Sequence, residues 1–336
     1  MINSKLAIGP MSPEIVEAVF RHSSYMRTPL MLIASKNQVD HSGGYVNNWT
    51  TKEYMEYVRA MKSLYPQSNV TICRDHCGPG FNGNYEIEDV YKTINSDIEN
   101  GFDLIHIDFC HMKGDRDYVL EESKRAIQHC LSLNPKIMLE IGTDENMGTN
   151  YGIMNLHEIE REIGFFSNFC KPEFFVVQTG SLVKEIKQVG NFNASFVKQI
   201  GDLVRTHGLK LKEHNADYLT KEEISKRAGL VDAMNIAPQL GVIQTQTILS
   251  KCSIYGINTD DFIEEVYKGG KWKKWLHTNT EDNKYLCAVI AGHYHFNSEN
   301  YRKLIRELNK VEDINETIIN SMIGVIDHYI SAHKGK

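Results

Sequence analysis

The stretch VTICRDHCGPGFNGNYEIEDVYKTINSDIENGFDLIHID, residues 70–108, holds one complete strand–helix–strand unit. Its ends, Val70–Cys73 and Leu104–Asp108, are short, apolar and β-prone. Between them Ile87, Val90, Tyr91, Ile94 and Ile98 fall on one face of a helix over Glu86–Asn100. Gly101 follows as the residue that can adopt a left-handed C-terminal turn. Two apolar strands joined by a helix predict a parallel pair, because parallel neighbours need a long crossover.

The same alternation extends in both directions. Further strands are expected at Leu6–Ile8, Leu30–Ala34, Ile137–Ile141, Phe174–Val177, Leu209–Lys212 and Val231–Ile236. Capping boxes at Thr50–Glu53 and Thr220–Glu223 open two helices. The first carries Tyr54, Val58, Met61 and Leu64; the second carries Ile224 and Ala228. Phe196, Val197, Ile200, Leu203 and Val204 make another apolar stripe. Eight βα units predict an α/β fold, a closed (β/α)₈ TIM barrel. The alternative, an open doubly wound sheet, calls for a Gly-rich phosphate loop after the first strand; here that strand runs into Gly9-Pro10-Met11-Ser12-Pro13. After Gln239 the pattern is helical, includes Trp272–Trp275 and Gly292–His295, and ends in an amphipathic helix at Asn315–His333. The expected organisation is a barrel over 1–250 and a helical C-terminal extension over 251–336, packed on the barrel.

Composition narrows the function. The 336 residues are 41% hydrophobic and 24% charged with a net charge of −6, an ordinary globular balance without a basic stripe, so nucleic acid is excluded as a partner. No apolar run is long enough to span a membrane, and the first residues lack the segments of a signal peptide. The seven cysteines form no CxxC pair, which fits reduced thiols and a cytoplasmic location.

In a parallel barrel the chemistry lies at the C-terminal strand ends. Ser35, Asn37 and Gln38 follow the second strand, and Arg74-Asp75-His76 the third. Asp108, Glu140 and Gln178-Thr179-Gly180 end the next three; Glu213-His214-Asn215-Ala216-Asp217 and Asn235 end the last two. Polar groups at seven successive strand ends converge on one mouth, which is the pattern of an enzyme. His76 and His214, with Glu140 between them, suit a divalent ion such as Zn²⁺ or Mn²⁺. Asp75 reads as a ligand's neighbour, an acid/base or a helix cap. His106 shares a strand face with Asp108 and reads as barrel interior. Lys184, Arg74 and the Asn215 region are phosphate-binding candidates. His293 and His295 are expected to pack or to meet a substrate phosphate.

These same residues carry a family resemblance. NQVDHSGGY (Asn37–Tyr45), RDHCGPG (Arg74–Gly80), IHIDF (Ile105–Phe109), VVQTG (Val176–Gly180), KEHNADY (Lys212–Tyr218) and MNIAPQL (Met234–Leu240) resemble, in order and spacing, the Z-type subunit of class II tagatose-bisphosphate aldolase, the GatZ/KbaZ family. The resemblance runs from about residue 7 to 300 and implies a TIM barrel. More distantly the chain is similar to the catalytic class II fructose- and tagatose-bisphosphate aldolases. That likeness implies Asp75 as acid/base, His76 and His214 as zinc ligands, Glu140 near the metal, Glu145 as a catalytic group on the following loop, and Asn235 at the substrate. The catalytic family's zinc histidine after strand six is absent, so Gln178 or Glu140 would complete the metal shell. Its phosphate-cradling Gly-Ser is replaced by Asn215-Ala216-Asp217.

Together these readings predict a metal-dependent aldolase cleaving and forming the C3–C4 bond of a ketose phosphate or bisphosphate. Catalysis is assigned to Asp75 and Glu145, and metal binding to His76, His214 and Glu140. Substrate contacts are assigned to Asn37, Gln38, Gln178, Gly180, Asn215, Asp217 and Asn235. The alternatives are a ketose-phosphate C4-epimerase working by cleavage and rejoining, and a non-catalytic subunit that stabilises an aldolase. Partners are then a small sugar phosphate, a second copy of the chain or a catalytic aldolase subunit.

Overall fold

Side chains along each strand alternate between the barrel interior and the helical layer outside. The computed structural model describes residues 3–143 and 156–334. Eight parallel strands close the barrel. They are β1 (Leu6–Ile8), β2 (Leu30–Ser35), β3 (Val70–Cys77), β4 (Leu104–Ile107), β5 (Met138–Thr143), β6 (Phe174–Val177), β9 (Lys210–Glu213) and β10 (Ala233–Ile236). They pair in that order, and β10 returns to β1 with Leu6 opposite Met234. The expected TIM barrel is therefore the observed fold.

Ala7, Met31, Ile33, Cys73, Leu104, Phe174 and Ala233 fill the interior as one apolar cluster. Two residues further along β3, β4 and β10 the same face becomes polar, with Asp75, His106 and Asn235, and Lys212 of β9 pairs opposite Ala233. Period-2 alternation thus stacks an apolar plug beneath a polar floor.

The connecting helices follow their sequence signals. These are α1 (Pro13–Met26), α2 (Thr51–Leu64), α3 (Ile87–Asn100), α4 (Arg116–Leu133), α5 (Leu156–Ser167), α6 (Ala194–Thr206) and α7 (Lys221–Arg227). Both capping boxes form, at Thr50/Glu53 and Thr220/Glu223. Gly101 ends α3 at φ 92°, a left-handed conformation that a side chain would strain. The outward strand faces are not purely apolar. Arg74 is fully buried between β3 and α3, where Asp97 Oδ2 and Oδ1 accept from its Nε and Nη2, both at 2.6 Å. Its Nη1 donates to the carbonyl of Ala34 at 3.0 Å and to that of Val39. Arg74 is thus a structural tie between β2, β3 and α3, and the phosphate-binding expectation for it is corrected: the fully buried guanidinium spends four of its five N–H groups on Asp97, Ala34 and Val39.

Two features were not foreseen. β3 runs on to Cys77, with a register shift against β4 between Arg74 and Cys77. A small antiparallel hairpin, β7 (Val183–Lys184) and β8 (Lys187–Gln188), follows β6; strands of two residues carry no readable periodicity. Beyond the barrel come α8 (Pro238–Ile254), α9 (Asp260–Gly269), α10 (Lys284–Ala291), α11 (Glu299–Leu308) and α12 (Ile314–Lys334). α12 packs against α1, α7 and α8, while the turn at Lys271–Lys274 and the turn at Gly292–His295 reach over the barrel mouth. No helix among the described residues is long and apolar enough to cross a membrane.

Candidate active site

The register shift in β3 shapes the site. It lets His76 take φ 44°, a left-handed conformation uncommon for a residue with a side chain. His76 Nδ1 lies 2.8 Å from Asp108 Oδ2, which also accepts from Thr143 Oγ1 at 2.9 Å. A carboxylate only accepts, so Nδ1 carries the proton and Nε2 is turned toward Asp75 Oδ1, 3.7 Å away. Phe81 stacks on the imidazole at 4.6 Å and fixes its plane.

Asp75 Oδ1 is the centre of the arrangement. It lies 3.3 Å from His106 Nδ1, 3.7 Å from His76 Nε2 and 3.9 Å from His214 Nδ1. Glu140 Oε1 stands 3.2 Å from His214 Nε2 and 3.8 Å from His106 Nδ1. One donor atom each from Asp75, His106, Glu140 and His214 lies within 4.8 Å of the others, a spacing compatible with one ion. His76, His106 and Asp108 form a second such group sharing His106.

His106 provides the fit test for a metal. Its Nε2 lies 2.9 Å from the Gly142 carbonyl, which can only accept, so Nε2 bears the hydrogen. In the neutral ring Nδ1 then presents its lone pair toward Asp75 Oδ1 and Glu140 Oε1, with the His76 N–H donating to it at 3.3 Å. A cation beside the two carboxylates would offset their repulsion and take this lone pair as a ligand. A backbone carbonyl on the other ring nitrogen is the usual orienting partner of a metal-bound histidine. The donor set fits a divalent ion of the zinc or manganese type.

Charge keeps these groups ionised. Burial pushes the Asp75 carboxyl up; positive charge on the His76 and His214 rings, then on His106, outweighs burial when those rings are protonated and holds the carboxyl far below the usual range. Burial acts likewise on Glu140; the Lys212 ammonium, then His106 and His214, bring it down to about 2. Lys212 Nζ donates to Glu140 Oε2 at 2.6 Å, with both side chains fully buried. Asp108 is brought to about 2 chiefly by its bond to His76, against the effect of burial.

Above this floor opens a cavity of about 680 Å³. Asn37, Gln38, Asp75, His76, His214, Asn215, Asp217 and Asn235 all line it. Gln178 and Gly180 are not among its lining residues. Gly180 sits at φ 95°, where a Cβ would lie 2.2 Å from the Asn191 carbonyl oxygen, so its role there is to let two backbone segments meet. Gln178 is buried, with Oε1 lacking a hydrogen-bond partner. Both amide atoms of Asn235 are also buried without partners, and a bound polyol could satisfy them. Glu145 lies outside the described residues. Lys184 Nζ donates to the Lys274 carbonyl at 2.6 Å, which makes it a strut for the neighbouring turn.

Two groups of site residues escaped the sequence reading. His106 was placed inside the barrel by alternation, but nothing local showed that it belongs to the uppermost layer. Lys271, Lys274, Trp275 and Tyr294 reach the cavity from the helical extension, far along the chain from the strand ends, beside His295.

With this geometry in view, comparison with known proteins is informative. Residues 4–133, from β1 to the end of α4, match the family described as D-tagatose-1,6-bisphosphate aldolase subunit GatZ/KbaZ-like. Over those residues the chain is similar to that family. The resemblance read from RDHCGPG and IHIDF falls within this stretch, and the matched stretch contains Asp75, His76, His106 and Asp108. Among solved structures, a probable tagatose 6-phosphate kinase from Sinorhizobium meliloti 1021 superposes with a TM-score of 0.81 at 15% identity, covering 98% of this chain and 100% of that one. The YdjI aldolase from Escherichia coli K12 gives 0.61 at 12% identity, covering 99% and 94%. The fructose-bisphosphate aldolase from Campylobacter jejuni gives 0.63 at 12% identity, covering 99% and 91%. At these identities the likeness establishes the shared barrel.

Proposed function

We propose that this protein is a metal-dependent aldolase that cleaves and forms the C3–C4 bond of a ketose phosphate. The observation that carries the reading is the placement of Asp75, ionised and ringed by three imidazoles, at the floor of a sugar-sized cavity. His106, His214 and Glu140 would hold a divalent ion, with His76 Nε2 on the far side of Asp75 Oδ1, 3.7 Å from it. Such an ion supplies Lewis acidity that polarises the ketose carbonyl.

The chain's own residues do the rest. Asp75 takes the proton of the C4 hydroxyl as the C3–C4 bond breaks, and returns it when the bond forms. Being ionised, it has the lone pairs to accept that proton. Asp108 and Phe81 lock the His76 ring, Gly142 locks His106, and Lys212 holds Glu140 ionised. Asn235 offers a donor and an acceptor to the sugar hydroxyls. The apolar plug below closes the site from beneath.

The test is a screen of ketose phosphates and bisphosphates of the tagatose and fructose type with the Zn²⁺- or Mn²⁺-loaded protein, following triose release by a coupled assay. Stoichiometric release of a triose from one of them is the expected result. Interconversion of C4 epimers without free aldehyde would instead assign the same residues to an epimerase. No reaction with any of them would leave a stabilising subunit as the better account.

A further inference from the structure

In many barrels a substrate phosphate binds beside the loops after the last two strands, at the N-terminus of a helix. Here that place is filled from within. α8, a helix of 17 residues, begins at Pro238 with no side-chain cap of its own. Asp217 Oδ1 accepts from the backbone N–H of Ala237 at 2.9 Å and of Gln239 at 2.8 Å. Pro238 has no N–H to offer. The carboxylate is 1% exposed and takes the donors that a phosphate oxygen would need. The β7–β8 hairpin holds this loop in place, because Gln188 Nε2 donates to the carbonyls of Asn215 and Asp217.

Positive charge is found elsewhere on the cavity rim. Three lysines line the cavity, and Lys36 is neutralised by Asp89 at 2.7 Å. Lys271 and Lys274 have no carboxylate within ion-pair distance among the described residues. The Lys274 ammonium lies over the Trp275 ring at 4.5 Å, and both ammonium groups lie near the Tyr294 ring, Lys271 at 6.0 Å and Lys274 at 5.7 Å. Two like charges on one stretch of rim attract an anion between them. Their turn is also braced: the Glu185 N–H donates to the Trp275 carbonyl, and Glu185 Oε1 accepts from the N–H groups of His277 and Thr278.

We propose that Lys271 and Lys274 form the phosphate subsite of this protein, and that Asp217 closes the α8 N-terminus to phosphate, so that the substrate is a sugar with a single phosphate bound at the rim. This inference rests on the sugar-phosphate reading of the site but is tested by binding, without turnover.

The experiment is calorimetric titration of the metal-loaded full chain with fructose, fructose 1-phosphate, fructose 6-phosphate and fructose 1,6-bisphosphate. One monophosphate should bind at least about tenfold more tightly than fructose, the effect of one or two charge-assisted hydrogen bonds. The bisphosphate should bind no more tightly than that monophosphate. The double variant K271Q/K274Q should lose the gain, while K273Q, on the same turn but outside the cavity, should keep it. Both variants alter exposed side chains, so an unchanged unfolding midpoint serves as the folding control. Unaltered binding in the double variant would overturn the proposal, as would a bisphosphate markedly tighter than both monophosphates or a wild type that does not distinguish fructose from its phosphates. Loss of phosphate binding in K271Q/K274Q with no aldol activity on any substrate would keep the subsite and remove the aldolase reading.

Discussion

Replacing Asp75 by asparagine should lower kcat/KM for C–C cleavage by about 10²–10⁴-fold, the usual contribution of a positioned acid–base group. Asparagine keeps the shape of aspartate but cannot take the C4 hydroxyl proton. The carboxylate is also the negative centre shared by three imidazoles. The variant should therefore bind metal more weakly, while His106, His214 and Glu140 still retain it at saturating concentration. The measurement is steady-state kinetics at saturating metal, with bound metal determined on the same samples. A drop in kcat with one ion still bound would mark Asp75 as the proton carrier. An unchanged kcat would remove it from the mechanism.

The second large effect is on stability. Arg74→Met should destabilise the fold by about 3–5 kcal/mol, because it leaves Asp97 as an unpaired charge in a fully buried place. The expected readout is a lower urea midpoint. The pH dependence follows in sign. Burial already pushes the Asp97 carboxyl up against the pull of Arg74, and without Arg74 it rises further above its unfolded value near 3.9. A raised carboxyl costs nothing where both states are protonated and its full amount above the folded pKa. The gap between wild type and variant should therefore be small near pH 4 and widen toward pH 8. The double variant R74M/D97L should recover much of the loss, since apolar pairs can replace buried ion pairs. A single variant as stable as wild type would show that Asp97 is not held as described.

Arg74 also illustrates what the sequence could not show. In RDHCGPG it stands beside Asp75 and looks equally suited to a substrate. Alternation sends the two side chains to opposite sides of β3, and only the partner on α3, 23 positions later, decides what Arg74 does. His106 is the converse case. Its face was readable from Leu104 and Asp108, but its height in the barrel depends on register with β5, where it stands opposite Glu140. The strand count, the helices with capping boxes and the strand-end polar groups were all legible, because each is encoded within a few residues. Lys271 and Lys274 were not, since their nearness to Asp75 comes from tertiary packing of the extension and from the Glu185 brace. Asp217 reads as a substrate contact in KEHNADY; its engagement with α8 appears only once the first turn of that helix is placed.

The metal centre is the claim on which the account turns, and its most direct test is the metal content of purified, reconstituted protein. Wild type, His106→Ala and His214→Ala are measured together, with unfolding midpoints as controls. The account predicts about one equivalent of Zn²⁺ or Mn²⁺ in the wild type, held by His106, His214 and Glu140 as three protein ligands of one ion, and its loss in both variants without unfolding. Absence of metal from the reconstituted wild type, or its full retention in His106→Ala, would contradict it.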